Sequence, residues 1–183
     1  MMSRDGVFNH RERDDYLLAV KQIEDIFSLF NEELAGVRHL AEKVKKGLER
    51  ISPFIQEHTE KVCPRCIRVC CINAHGYYGF EDLIYIRALG LKLPDYYSCS
   101  ADSAPCRFLS DKGCRLERTI RPSGCNWYFC DALFDQMEPV KGYAEFDTCL
   151  GEVAELWMNM MMGFNDLSKK NPAATYFPMA SRL

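Results

Sequence analysis

No stretch of this 183-residue chain is apolar over anything near the ~20 residues that a membrane-spanning helix needs. Its first fifteen residues hold no apolar core of the secretory-signal kind. A cytoplasmic setting, where thiols stay reduced, is therefore the expectation. Neither sign of charge dominates: the net charge is −3, which leaves little for coating nucleic acid. The sequence also lacks a G-x-S-x-G elbow, a phosphate-binding P-loop and a G-x-G-x-x-G turn, so the common hydrolase, nucleotidase and dinucleotide-binding readings drop out. The four histidines, His10, His39, His58 and His75, are dispersed. A Cys71–His75 nucleophile–base pair is accordingly a minor reading, and an enzyme is the less favoured class.

Cysteine is what the chain has in excess. Nine of the ten cysteines fall between Cys63 and Cys130, and only Cys149 lies outside. Hydrophobic residues make up 48% of the chain, enough for a real core, so disulfides are not needed to rescue an undersized fold. Adjacent thiols such as Cys70 and Cys71 pair poorly with each other, and buried structural cysteines would be scattered rather than gathered. Metal ligation instead needs thiolates a few residues apart, so that a tight turn can aim them at one centre. Cys63-x-x-Cys66 has that spacing, and Cys125 and Cys130 form a second close pair.

The flanks read as helix. Tyr16, Val20, Ile23, Phe27, Phe30, Leu34, Val37, Ala41, Val44, Leu48, Ile51 and Ile55 alternate four- and three-residue steps. This heptad seam predicts one helix from about Arg13 to about Ile51, ended by Pro53. At 1.5 Å per residue it would extend ~60 Å. Its seam needs cover, either from helices of the same chain, with a break near Gly36, or from a second copy in a coiled-coil homo-oligomer. Glu81 to Leu89 reads as a short helix stopped by Gly90. Leu150, Val153, Trp157, Met160, Phe164 and Leu167 share one face of a C-terminal helix, with Asp147 or Thr148 as its cap and Asn171-Pro172 as its stop. The methionines at 158–162 read as core filler against the N-terminal helix rather than as a soft-metal site. The expected architecture is mainly α: residues 1–60 a polar tail and the long helix, 61–131 an irregular cysteine-ligated metal-binding core, and 132–183 the C-terminal helix and tail packing on the first.

Two blocks carry a resemblance. C63-P-R-C66-I-R-V-C70-C71, followed by C106-R-F-L-S-D-K-G-C114 and R121-P122-S-G-C125-N-W-Y-F-C130, resembles the YkgJ-type cysteine-cluster family. That family is described as a zinc- or iron-chelating domain with a C-x-x-C-x-x-C-C signature. The likeness covers about Cys63 to Cys130, with one departure: three residues separate Cys66 from Cys70 where the family usually has two. It implies the ligand set Cys63, Cys66, Cys70, Cys71, Cys106, Cys114, Cys125 and Cys130. Eight thiolates suit two four-ligand sites, or one site with a reserve of redox thiols. Cys99 and Cys149 are read as structural. Within 63–130, nine Lys or Arg face six Asp or Glu, an excess of cations that can offset a thiolate-ligated centre. Zinc and an iron–sulfur cluster both accept four thiolates. Three close cysteines with a remote fourth favour iron–sulfur by a thin margin. The leading function is metal or cluster binding with a redox or sensing role. The alternatives are a zinc-stapled interaction module presenting its long helix and a cluster-dependent modifying enzyme, since a flagellin lysine methylase carries a related motif.

Overall fold

The heptad seam is buried almost throughout. Tyr16, Ile23, Phe27, Leu34, Val37, Ala41, Val44, Leu48, Ile51 and Ile55 are all buried in the single chain, while Val20 and Phe30 are half-buried. The structure, a computed structural model, describes residues 8–67, 69–98 and 101–170. Cys99, the Asn171-Pro172 stop and the C-terminal tail lie outside the described residues.

The seam runs along two helices rather than one. α1 spans Arg13–Leu29 and α2 spans Ala35–Val62. The break at residues 30–34 has a local cause: α1 has no cation in its last turn to favour its carbonyl end, and Phe30 leaves helical geometry at φ −114°, ψ 39°. Asn31, a poor helix former, has its carbonyl oxygen captured by the Arg38 guanidinium at 2.6 Å and its side-chain oxygen at 2.8 Å. Pro53 does not end α2, which continues to Val62. A proline inside a helix costs ~3 kcal/mol; burying Ile51, Ile55 and His58 on the continuing face offsets it. The remaining elements are α3 (Phe80–Ala88), a hairpin of β1 (Leu109–Ser110) and β2 (Gly113–Cys114), α4 (Gly124–Trp127), α5 (Asp131–Met137) and α6 (Tyr143–Ser168). Among the described residues, no helix is long and apolar enough to cross a membrane.

These elements form two compact units, and α2 and α6 supply residues to both. The first unit takes its described residues from 8–42, 78–98 and 157–170. Here α1 packs on α3, and Phe164 of α6 lies 5.9 Å from the Phe27 ring and 6.4 Å, edge-on, from Phe80. Asp82 accepts the Gly79 N–H at 2.7 Å to start α3. Gly90, at φ +74°, lets the Leu91 N–H reach back to Ile86 O and closes the helix. Met160 and Met161 are buried while Met158 and Met162 are exposed, so the methionine run divides between core and surface.

The second unit takes its described residues from 43–67, 69–77 and 101–156. Phe54 of α2 stacks on Phe146 of α6 at 4.7 Å, and Phe129 meets Phe146 edge-on at 5.8 Å. α6 starts at Tyr143, ahead of the expected cap, and the Thr148 hydroxyl donates back to Ala144 O at 2.8 Å from inside it. Gly47 marks the close approach of the two helices, because a Cβ there would overlap the Val153 side chain. Gly47→Ala should therefore destabilise by ~1–3 kcal/mol despite its better helix propensity. Gly151→Ala, on the exposed side of α6 with open space around it, should stabilise by up to ~1 kcal/mol. Urea denaturation of both variants checks the pair, and equal signs would refute the close-packing reading.

Candidate metal centre

The C-terminal end of α2 delivers the first thiols. Past Val62 the chain tightens into a 3₁₀ turn, Cys63–Arg65, with Pro64 setting its first φ and the Cys66 N–H closing on Cys63 O at 3.2 Å. The second run, Cys70 and Cys71, is stitched to a distant stretch by Asn73. This buried side chain donates to Ala101 O at 3.2 Å and accepts the Arg107 N–H at 3.1 Å, while its own N–H bonds Ala104 O at 2.9 Å. One ladder step later the Cys106 N–H donates to Cys71 O at 2.9 Å. Gly76 makes room: a Cβ there would come 2.8 Å from the Cys106 sulfur. The β1–β2 hairpin pairs Leu109 with Cys114 and so returns Cys114 beside Cys106. The first turn of α4 carries Cys125, and Cys130 is the N-cap of α5.

These pieces surround one cavity of about 300 Å³. Cys63, Cys70, Cys71, Cys106, Cys114, Cys125 and Cys130 all line it, with Ile55, Phe108 and Leu133 among its apolar wall residues. The thiols feel one another. Cys70 is pushed up, first because its proton is the one shared with the Cys71 sulfur and then by burial; it also meets Cys130. Cys71 is held below the ordinary thiol range by the Cys70 S–H, against desolvation and the neighbouring charges of Cys63, Cys125 and Cys106. Cys63 is raised by desolvation and then by Cys70, Cys130 and Cys66. Cys63 thus neighbours Cys66, Cys70 and Cys130, while Cys71 neighbours Cys63, Cys106 and Cys125 as well as Cys70. Cys70 and Cys71 meet through their shared proton.

The Cys70–Cys71 pair titrates as a unit that gives up its first proton readily and its second reluctantly. In metal-free protein near neutral pH, iodoacetamide should label Cys71 roughly tenfold faster than Cys70, since the thiolate is the nucleophile. Fragmentation of the tryptic peptide from 69 to 87, which contains both, reads the ratio; equal labelling would remove the shared-proton arrangement.

Two non-thiol groups share the wall. His75 is exposed but lines the cavity, and its Nδ1 lies 2.9 Å from Cys70 O. A carbonyl only accepts, so Nδ1 is the donor in this contact. Arg118 is 6% exposed, and its Nε has no hydrogen-bond partner. Its nearest polar side chain is Asn126, whose Oδ1 lies 3.5 Å from Nη1. Burial lowers the Arg118 pKa to about 10, Arg121 adds to the drop, and Cys125 and Cys114 oppose it.

Seven of the eight cysteines expected as ligands thus line one cavity. Cys66 does not line it, although its charge reaches Cys63; Cys149 is buried within α6, away from the wall. Among the described residues no three His, Cys, Asp or Glu side chains stand as the ligand set of a single ion. Donor chemistry nevertheless fits a thiolate-ligated centre, because the wall offers seven sulfurs and a buried cation. Asn73, which joins the two cysteine blocks, and Arg118 carried no sequence signal beyond the local excess of cations. No protein-family model, curated protein or solved structure matches the chain.

Proposed function

We propose that the second unit is a cysteine-thiolate metal-binding unit, with an iron–sulfur cluster ahead of zinc as its occupant and a redox or sensing role in the cytoplasm. One observation carries this reading: chain segments as far apart as Cys63 and Cys130 bring seven thiols to a single cavity. The resemblance of the two cysteine blocks to the YkgJ-type family points the same way. The preference for a cluster has a geometric basis. Around one zinc, ~2.3 Å bonds would hold the sulfurs within about 3.8 Å of one another. Ligands of a polynuclear cluster bind different irons and stand further apart. Seven sulfurs spread around a cavity of about 300 Å³ suit the second arrangement.

Cys63, Cys66, Cys70 and Cys130 form one candidate ligand set, and Cys71, Cys106, Cys114 and Cys125 the other. The raised Cys63 and Cys70 thiols are protonated in metal-free protein, so loading releases protons and metal affinity falls as pH falls. Asn73 holds Cys71 and Cys106 in register. A bound cluster would supply one-electron chemistry; zinc would supply closure of the loops.

Elemental analysis with a visible spectrum on anaerobically purified protein tests the proposal. Iron with sulfide and a brown colour supports the cluster. Colourless protein with zinc at one or two equivalents replaces it with a stapled scaffold. Free thiols with neither metal overturn the reading.

A further inference from the structure

Arg118 stands on the cavity wall as a charge without a counter-charge. It is nine-tenths buried, no carboxylate of the described residues pairs with it, and its Nε meets nothing. Arg121 deepens the imbalance: it lines the same cavity and spends its own Nε on Leu116 O at 2.9 Å. A buried guanidinium normally has an anion beside it, because removing it from water costs far more than its packing returns. Cys125 and Cys114 line the same cavity, and they are the thiols whose charge acts on it. As neutral thiols they give it little. As metal-bound thiolates they provide the missing negative charge, since four thiolates around zinc or a [4Fe–4S] core leave the site anionic.

We propose that Arg118 is the buried counter-cation of a thiolate-ligated centre held at Cys114 and Cys125, so that loading the site is what satisfies this side chain. The proposal rests on the metal-binding reading above and adds a role that none of the sulfurs supplies. Arg118 touches no metal; it acts through the ligands. Its 3₁₀ turn, Arg118–Ile120, and the bond from Asn126 Nδ2 to Arg118 O at 3.4 Å hold it against the wall.

A counter-cation has a signature that a packing residue lacks: its removal moves the empty and the loaded protein in opposite directions. Arg118→Met keeps the length and discards the charge; Arg118→Lys keeps the charge. The probe is Zn²⁺ alone, titrated into metal-free protein against a chromophoric chelator, with thermal unfolding measured in excess chelator. Arg118→Met should bind Zn²⁺ about 10–100-fold more weakly, the range for partners outside the ligand shell. Its metal-free form should melt no lower than the parent. Arg118→Lys should recover most of the affinity. If the native protein carries an iron–sulfur cluster, Arg118→Met should also move its midpoint potential to a more negative value, since a cation favours the reduced, more negative core.

Unchanged Zn²⁺ affinity in Arg118→Met overturns the proposal, and so does a joint fall of affinity and metal-free melting temperature, which marks Arg118 as structural. A parent chain that takes up no Zn²⁺ fails differently: it overturns the metal-binding reading, and this role with it.

Discussion

Stripping metal from the loaded protein should raise amide exchange in residues 69–77 and 101–130 by about a thousandfold, while α1 and α3 keep their protection. The contrast follows from what each segment has to hold it. Between Cys63 and Cys130 the second unit contains three-residue 3₁₀ turns, strands of two residues and a helix of four. Such pieces close few backbone hydrogen bonds and cannot persist alone. The Asn73 stitch, a few side-chain bonds such as Arg121 Nε to Leu116 O, and the apolar wall of the cavity add to them. A ligand present at ~1,000 times its dissociation constant contributes ~4 kcal/mol, which is the thousandfold change expected when it is withdrawn. α1 and α3 instead bury Ile23, Ile26, Phe27, Leu83 and Ile84 almost completely, and none of these contacts involves a thiol. Exchange measured by mass spectrometry before and after chelation gives the answer. A uniform rise across the chain, or none, would contradict a metal-organised second unit.

The largest single-residue effect on the first unit should come from Phe164→Ala, at ~3–5 kcal/mol. Phe164 is buried to 1% exposure and contacts both Phe27 and Phe80. Truncation removes transfer energy, opens a cavity between α1, α3 and α6, and forfeits aromatic pairs worth ~0.5–1.5 kcal/mol each. Relaxation into the gap is limited, because Val37 lies against the neighbouring turn of α6 at Gly163. Met162→Ala, two residues away but 56% exposed, should stay within about ±0.5 kcal/mol. Exchange protection of amides in α1 and α3 is the local measure, and equal losses in the two variants would refute the assigned core.

Much of the helical fold was legible because helical burial is periodic. The seam from Tyr16 to Ile55, the short helix stopped by Gly90 and the face through Val153 and Phe164 each repeat at the spacing of their own structure. The break at residues 30–34 was not legible from that period, since the seam keeps its step on both sides of it. What breaks the helix is Arg38 reaching back to Asn31, a contact between side chain and backbone that leaves the apolar pattern untouched. Pro53 failed as a stop for the converse reason: burial of the following turn outweighs a local penalty.

By itself, the sequence determined the chemistry: thiols in two blocks, helices on either side, no run fit to cross a membrane, and an excess of cations among the cysteines. Only the tertiary structure decided which of those groups meet. It brings Cys71 to Cys106 through Asn73, leaves Cys66 off the cavity wall, and buries Arg118 without a carboxylate. It also assembles each unit from separated stretches of chain. The physical reason is range. Helix propensity and apolar period are properties of neighbours in sequence, whereas the bonding of Asn73 is defined by Ala101 and Arg107, far along the chain, and nothing local marks it in advance.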